Sequence, residues 1–174
     1  MTPPRRPSVL ETLARHGARF LGATLLGWLM LTLVGFKGKP QPFHGPLALF
    51  DGWFRWDTHW YLGIVRDGYT FSTEQQSSVA FFPLFPLLVK GLTGLGLSVE
   101  WAGVVAVVLT GAAAALALHA WFWRMQPAET ASLAEWLFWF SPFALFVIGC
   151  VYSDAIFVAL VAGAFLALER RQVA

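Results

Sequence analysis

The chain has 174 residues, of which 57% are hydrophobic, 16% aromatic and only 13% charged, with a formal net charge of +2. Soluble domains carry about 25% charged residues, so this composition excludes an ordinary water-soluble domain. The small net charge, spread among apolar segments, also excludes nucleic acid as a partner. At one span for roughly 20 residues of membrane helix, the length accommodates four spans and a loop.

In chain order, the sequence predicts an all-α membrane protein with about four transmembrane helices. Residues 1–17 are predicted to be a basic cytoplasmic N-terminus, and residues 18–174 a single integral-membrane domain. The first span is longer than the apolar part of a signal peptide, which favours an uncleaved anchor. The predicted spans are 18–36, 100–123, 131–151 and 153–168, with an extracytoplasmic loop over 37–99.

The segment from Ala80 to Val99 is apolar, but Pro83, Pro86 and Lys90 argue against a further span. If it does not cross, seven basic residues in short flanks lie on one side and five in the long loop lie on the other, which satisfies the positive-inside rule. We therefore expect a short helix on the outer face, and Asp57 and Asp154 on the same outer side. Its predicted buried stripe is Phe81, Phe85, Leu88, Leu92 and Leu95.

Residues 49–66 have the pattern of an amphipathic helix lying at the membrane interface. Six aromatic or aliphatic side chains fall within about 60° of Asp57 at 100° per residue, whereas Arg55, His59 and Arg66 fall on the opposite face. A carboxylate within an apolar face must be paired, neutralised or used. Asp57 is therefore either a lock to an arginine or a backbone amide, or a general base with a pKa raised by desolvation.

Other polar residues have simple structural interpretations. Asp154 follows Ser153 at a predicted helix start, where it would cap free amides. His119 is expected to form an interhelical hydrogen bond, and Cys150 to serve in packing. No Asp-x-Asp motif is present and His44, His59 and His119 lack the spacing of metal ligands, so we expect neither a metal nor another cofactor.

The segments Arg55-Trp56-Asp57, Gly68-Tyr69 and Ala80 to Leu87 resemble the first outer loop of the GPI mannosyltransferase II family and its bacterial relatives. The resemblance extends over about residues 50–168, through Ser141-Pro142, Phe146 and Tyr152-Ser153-Asp154. Asp154 stands where the family usually has a glutamate, which is one methylene longer.

The resemblance implies the N-terminal part of a C-type glycosyltransferase that transfers mannose from a polyprenyl (dolichyl) phosphate donor to a glycolipid or other lipid-linked acceptor. The displacement would invert the sugar, and Asp57 would be the catalytic base. The residues that the resemblance assigns to substrate binding are Arg55, Trp56, His59, Tyr69, Phe82, Pro83 and Asp154.

Two alternatives stay open at this point. Family members are longer than this chain, so it is either an incomplete or short enzyme, or a non-catalytic membrane subunit that needs a partner subunit to form the site. The expected location is a multi-pass protein with a cytoplasmic N-terminus, in contact with membrane lipids. The composition favours a bacterial plasma membrane, with the endoplasmic reticulum as the eukaryotic alternative.

Overall fold

The computed structural model describes residues 9–33 and 45–172, and these residues are helical with no strand among them. The predicted all-α class is therefore confirmed. Two 3₁₀ helices, Gly45–Trp53 and Ser78–Ala80, accompany the α-helices. The α-helices are α1 (Val9–Leu33), α2 (Thr58–Asp67), α3 (Leu84–Thr93), α4 (Val99–Met125), α5 (Ala128–Trp139), α6 (Ala144–Ile148) and α7 (Asp154–Gln172).

Helix α4 is the central element of the bundle, and α1 runs antiparallel to it. His16 of α1 lies beside His119, with ring centroids 3.5 Å apart. One turn further along α1, the Phe20 ring lies 3.6 Å from the point where a methyl group would stand on Gly111. Helix α1 starts nine residues before the predicted span, and the predicted residues 34–36 lie outside the described part.

Helix α7 runs parallel to α4 and makes the most extensive contact with it. Trp121 and Phe165 stack with centroids 5.4 Å apart, and beyond them Arg124 Nε pairs with Glu169 at 2.5 Å. Because α7 starts near the first turns of α4, the chain between them must return along the bundle. Helices α5 and α6 make that return, and the turn over 149–153 falls close to the predicted turn at 152 to 154.

The predicted span 131–151 is divided between two helices, so the prediction of one continuous helix was wrong. Helix α5 ends at Trp139 and α6 begins at Ala144. Pro142 has no N–H to continue a helical ladder, and the Ser141 hydroxyl donates to the Phe138 carbonyl at 2.9 Å. With 12 residues, α5 is about 18 Å long, shorter than the roughly 30 Å hydrocarbon layer.

Within the described residues, α4 is the one helix that is long and apolar enough to cross a membrane by length and composition. It has 27 residues and a mean hydropathy of 2.1 in its most apolar window. Its bounds agree with the predicted span 100–123 to within two residues.

Helix α3 packs on α2 and α4 along a face close to the predicted stripe. Phe85 is 1% exposed, and Phe81, Leu88 and Leu92 pack against the same core. Leu95 is 80% exposed, so its predicted burial was wrong. The reason is that α3 ends at Thr93 and the chain turns away. Val89, which the stripe omitted, is fully buried.

A close approach between α4 and the turn over 149–153 makes Gly103 a sensitive position. A methyl group there would lie 2.8 Å from Val151 Cγ1, whereas one on Gly163 of α7 would contact nothing within 4 Å. We expect Gly103→Ala to lower the free energy of unfolding by about 1–3 kcal/mol, through overpacking. Gly163→Ala, the matched control, should raise it by up to about 1 kcal/mol through helix propensity. Thermal unfolding in detergent measures both, and equal effects would contradict the assigned packing.

Candidate functional site

The predicted amphipathic helix over 49–66 is broken in its middle, so the prediction of one continuous helix was wrong. A 3₁₀ helix ends at Trp53, and α2 begins at Thr58. Between them, Trp56 has φ of +50°, in the left-handed region that residues other than glycine seldom adopt. Such strained residues are held by their surroundings and are concentrated at functional sites.

The break is caused by two hydrogen bonds to the turn over 149–153. In a continuous α-helix the Asp57 N–H would donate to the Trp53 carbonyl, four residues earlier. Instead, Val151 N donates to the Trp53 carbonyl at 3.0 Å, and Asp57 N donates to the Tyr152 hydroxyl at 2.5 Å. The turn therefore satisfies both backbone groups that the helix leaves unpaired.

The break separates the aromatic side chains from the carboxylate that the helical pattern had placed among them. Trp53 is 2% exposed and Phe54 is 4% exposed, whereas Asp57 lies at the surface. The prediction that Asp57 lies on a buried aromatic face was therefore wrong. The carboxylate stays hydrated because the chain turns between it and the buried rings.

The Asp57 side chain keeps its hydrogen-bonding capacity. Asp57 precedes the first residue of α2, but its carboxylate makes no capping hydrogen bond. In the described ranges it also takes part in no ion pair within 4.0 Å. Among the described residues, the Asp57 side chain therefore does not lock the loop to an arginine or an amide. Only the Asp57 backbone is held, by the Tyr152 hydroxyl.

Two buried tyrosines join the loop to the turn beneath Asp57. The hydroxyls of Tyr61 and Ser153 lie 2.8 Å apart, and the Tyr61 ring packs on Tyr152 at a centroid distance of 5.7 Å. Burial raises the pKa of both phenols. Asp154 and Asp57 each raise the pKa of Tyr61 further, so both carboxylates lie close to one ring. Asp57 and Asp154 therefore lie near the same tyrosine, while the outer side of a membrane that was predicted for both stays a prediction.

Asp154 is the first residue of α7 and is half-buried. A negative charge in the first turn suits the helix dipole, which agrees with the structural interpretation of this residue. The hydroxyl of its neighbour Ser153 forms a hydrogen bond with the Tyr61 hydroxyl.

Arg55 and His59 flank Asp57 in the chain and differ in their contacts. Arg55 Nη2 donates to Asp51 Oδ2 at 2.5 Å, while its Nε is buried without a partner among the described residues. His59 is exposed, and its Nδ1 donates to the Trp56 carbonyl at 2.8 Å. The Trp56 side chain is 46% exposed and lies 5.6 Å from the Phe146 ring.

The structure does not bring the remaining predicted site residues to Asp57. The Tyr69 hydroxyl donates to the Phe81 carbonyl at 2.8 Å, and Tyr69 and Pro83 line a separate cavity of about 150 Å³ with Lys90. Phe82 is 82% exposed. Among the described residues, no hydrogen bond or ring contact of these three side chains reaches Asp57.

Four residues of the site were absent from the predicted set: Tyr61, Phe146, Tyr152 and Ser153. Tyr152 and Ser153 belong to the polar tripeptide that interrupts an apolar run, and that interruption could have identified them. Tyr61 is one of the six side chains that the helical pattern of residues 49–66 places around Asp57, and that pattern gives no sign of its bond to Ser153.

Comparison with known proteins adds no relative: no family model, no curated protein and no solved structure matches the chain.

The raised pKa values of Tyr61 and Tyr152 lead us to expect a loss of stability at high pH. Because the pKa of each phenol is higher in the folded chain than its ordinary value of 10.0, its contribution is complete below that pH and is lost as the pH rises through the folded value. We expect the thermal midpoint to fall as the pH rises from about 10 to about 12. The double variant Tyr61→Phe/Tyr152→Phe should show a shallower fall, and an unchanged slope would contradict this assignment.

Proposed function

We propose that this chain belongs to a multi-span membrane mannosyltransferase, which moves mannose from a polyprenyl-phosphate donor to a lipid-linked glycan acceptor. The observation that carries the proposal is the Asp57 carboxylate, which is exposed and has no partner among the described residues while its own backbone is fixed by Tyr152. It stands within the Arg55-Trp56-Asp57 motif, on which the resemblance to the GPI mannosyltransferase II family rests.

The reaction requires one base and one site for the leaving phosphate. The Asp57 carboxylate takes the proton of the acceptor hydroxyl while that oxygen forms a bond to C1 of mannose. The bond from C1 to the phosphate oxygen breaks on the opposite face, and polyprenyl phosphate leaves with the electron pair. The single displacement inverts the configuration at C1, by the same geometry as inverting glycoside hydrolysis.

The surroundings of Asp57 suit a sugar and a phosphate. Trp56, Phe146 and Tyr152 form a chain of ring contacts beside it, with centroids 5.6 Å and 5.8 Å apart. Such rings offer apolar faces to the C–H groups of a hexose. In this proposal Arg55 and His59 hold the donor phosphate, and Asp154 contacts the sugar from the other side of Tyr61.

Tyr69, Phe82 and Pro83 have a different role in the proposal, because they lie on the α3 side of the loop. Phe82 is nearly fully exposed at the start of α3, which suits a side chain in the membrane interface. We assign these residues to the polyprenyl chain and the surrounding lipid rather than to the mannose.

The proposed membrane arrangement has four spans: α1, α4, the α5–α6 pair and α7. Their directions alternate, and Asp57 and Asp154 share one end of the bundle. Arg19 and Arg124 belong to the other end, which the positive-inside rule assigns to the cytoplasm in this proposal. Asp57 then faces the periplasm, or the lumen in a eukaryotic cell.

The base assignment is tested by Asp57→Asn in membranes that contain the protein, followed by mannose transfer from a polyprenyl-phosphate-mannose donor. Asparagine has nearly the same shape and cannot take the proton, so we expect the rate to fall by about 10²–10⁴-fold. Asp67→Asn is the matched control, an exposed carboxylate at the other end of α2, and should retain the rate. Equal rates for both variants would contradict the assignment.

A further inference from the structure

Three potential metal ligands from three different helices meet at the end of the bundle away from Asp57. His16 Nδ1 lies 2.8 Å from Glu135 Oε2, and His119 Nδ1 lies 2.6 Å from Glu135 Oε1. The ligand atoms of all three lie within 4.8 Å of one another. Since the residues are contributed by α1, α4 and α5, their spacing in the chain did not predict a metal site.

The cluster is largely withdrawn from solvent. The side chain of Glu135 is 2% exposed, His16 14% and His119 19%. The two imidazole rings lie 3.5 Å apart, centroid to centroid, and two protonated rings at that distance would repel each other. Two imidazoles that converge on one buried carboxylate supply nitrogen and oxygen atoms of the kind that bind a metal ion.

We propose that His16, His119 and Glu135 bind a divalent transition-metal ion, with zinc the best fit. Two histidine nitrogens and one glutamate form a common set of zinc ligands that leaves one position open. No thiolate is present among the three, which disfavours softer ions. Ligand atoms around zinc stand about 3.3 Å apart, so each ring needs to move from the carboxylate by roughly half an ångström. The most distant ligand atoms, now up to 4.8 Å apart, need to approach each other by about 1.5 Å.

The open coordination position has a space beside it. A cavity of about 210 Å³ borders the three ligands and is otherwise lined mainly by apolar side chains. It is large enough for a water molecule, which needs roughly 30 Å³ of liquid volume. The apolar part of its lining includes Phe20, Ala112, Ala115, Leu116 and Trp139.

Arg19 is the one described arginine or lysine paired with this carboxylate, and it competes with a metal. Its Nη1 donates to Glu135 Oε2 at 2.6 Å, and its Nη2 donates to Ser132 Oγ at 2.9 Å. The guanidinium also lies over the Trp136 ring at 5.3 Å. When a metal binds, Arg19 can give up the carboxylate and keep Ser132 and Trp136 as partners.

The site would fasten α1 to α4 and α5. The metal site goes beyond the proposed transferase activity and does not depend on it. His119 lies about 16 residues after Gly103 on α4, which is roughly 24 Å along the helix, and Gly103 is level with the turn under Asp57. A zinc clamp would therefore act on the assembly and stability of the bundle.

The test uses the full chain purified in detergent and freed of metal with a chelator. With zinc alone as the probe, we expect about one ion per chain by elemental analysis, and a higher thermal midpoint. Cobalt alone should give visible absorption bands typical of nitrogen and oxygen ligands. His16→Ala and His119→Ala should lose the ion, whereas His59→Ala, which changes an exposed histidine on α2, should keep it. Equal zinc content in all four proteins, or no cobalt bands in the unchanged chain, would overturn the proposal.

A second variant leaves all three ligands in place and guards against loss of folding. Arg19→Gln removes the competing cation, so cobalt should bind about tenfold more tightly or better, as judged by titration of the absorption bands. If Glu135 serves only as an ion-pair partner for Arg19, this variant binds cobalt no more tightly than the unchanged chain, and the proposal fails.

Discussion

The site depends on two backbone groups, the Trp53 carbonyl and the Asp57 amide, which a continuous helix would join to each other. They are bonded instead to Val151 and to the Tyr152 hydroxyl, which come from nearly a hundred residues further along the chain. A buried backbone group without a partner costs about 1–3 kcal/mol. Where the loop leaves the helical path, the turn over 149–153 supplies a partner for each group, and the Thr58 hydroxyl also donates to the Trp53 carbonyl at 3.4 Å.

These two hydrogen bonds explain why the rings of Trp53 and Phe54 are buried while the Asp57 carboxylate is exposed. A continuous helix would place Trp53 and Asp57 on one face, four residues apart, and would bury a charge whenever it buried the tryptophan. The left-handed Trp56 removes that conflict. Trp53 and Phe54 enter the core, Asp57 stays hydrated, and the Tyr61–Ser153 contact fixes α2 against the same turn. The proposed chemistry needs that combination, a free carboxylate on a rigid backbone.

Local patterns predicted the elements that depend on local forces. The uncharged run that became α4 was predicted to within two residues. The stripe on α3 included Leu95, which lies beyond the helix end, and omitted the buried Val89. The expected interhelical hydrogen bond of His119 is confirmed, with Glu135 as its partner. The break at Trp56 could not be predicted in this way, because a helical pattern contains no information on a competing partner so distant in the chain. For the same reason, the meeting of His16, His119 and Glu135 required the packed helices.

In the proposed site Tyr152 acts through Asp57, by holding the proposed base in place, and a double-mutant cycle on the rate of mannose transfer separates this role from an independent one. The rates of Asp57→Asn, Tyr152→Phe and the double variant are compared with that of the unchanged chain. We expect Tyr152→Phe to slow transfer by about tenfold when Asp57 is present, the value of one hydrogen bond. We expect no further loss when Asp57 is already asparagine. Multiplication of the two single losses in the double variant would contradict this role of Tyr152.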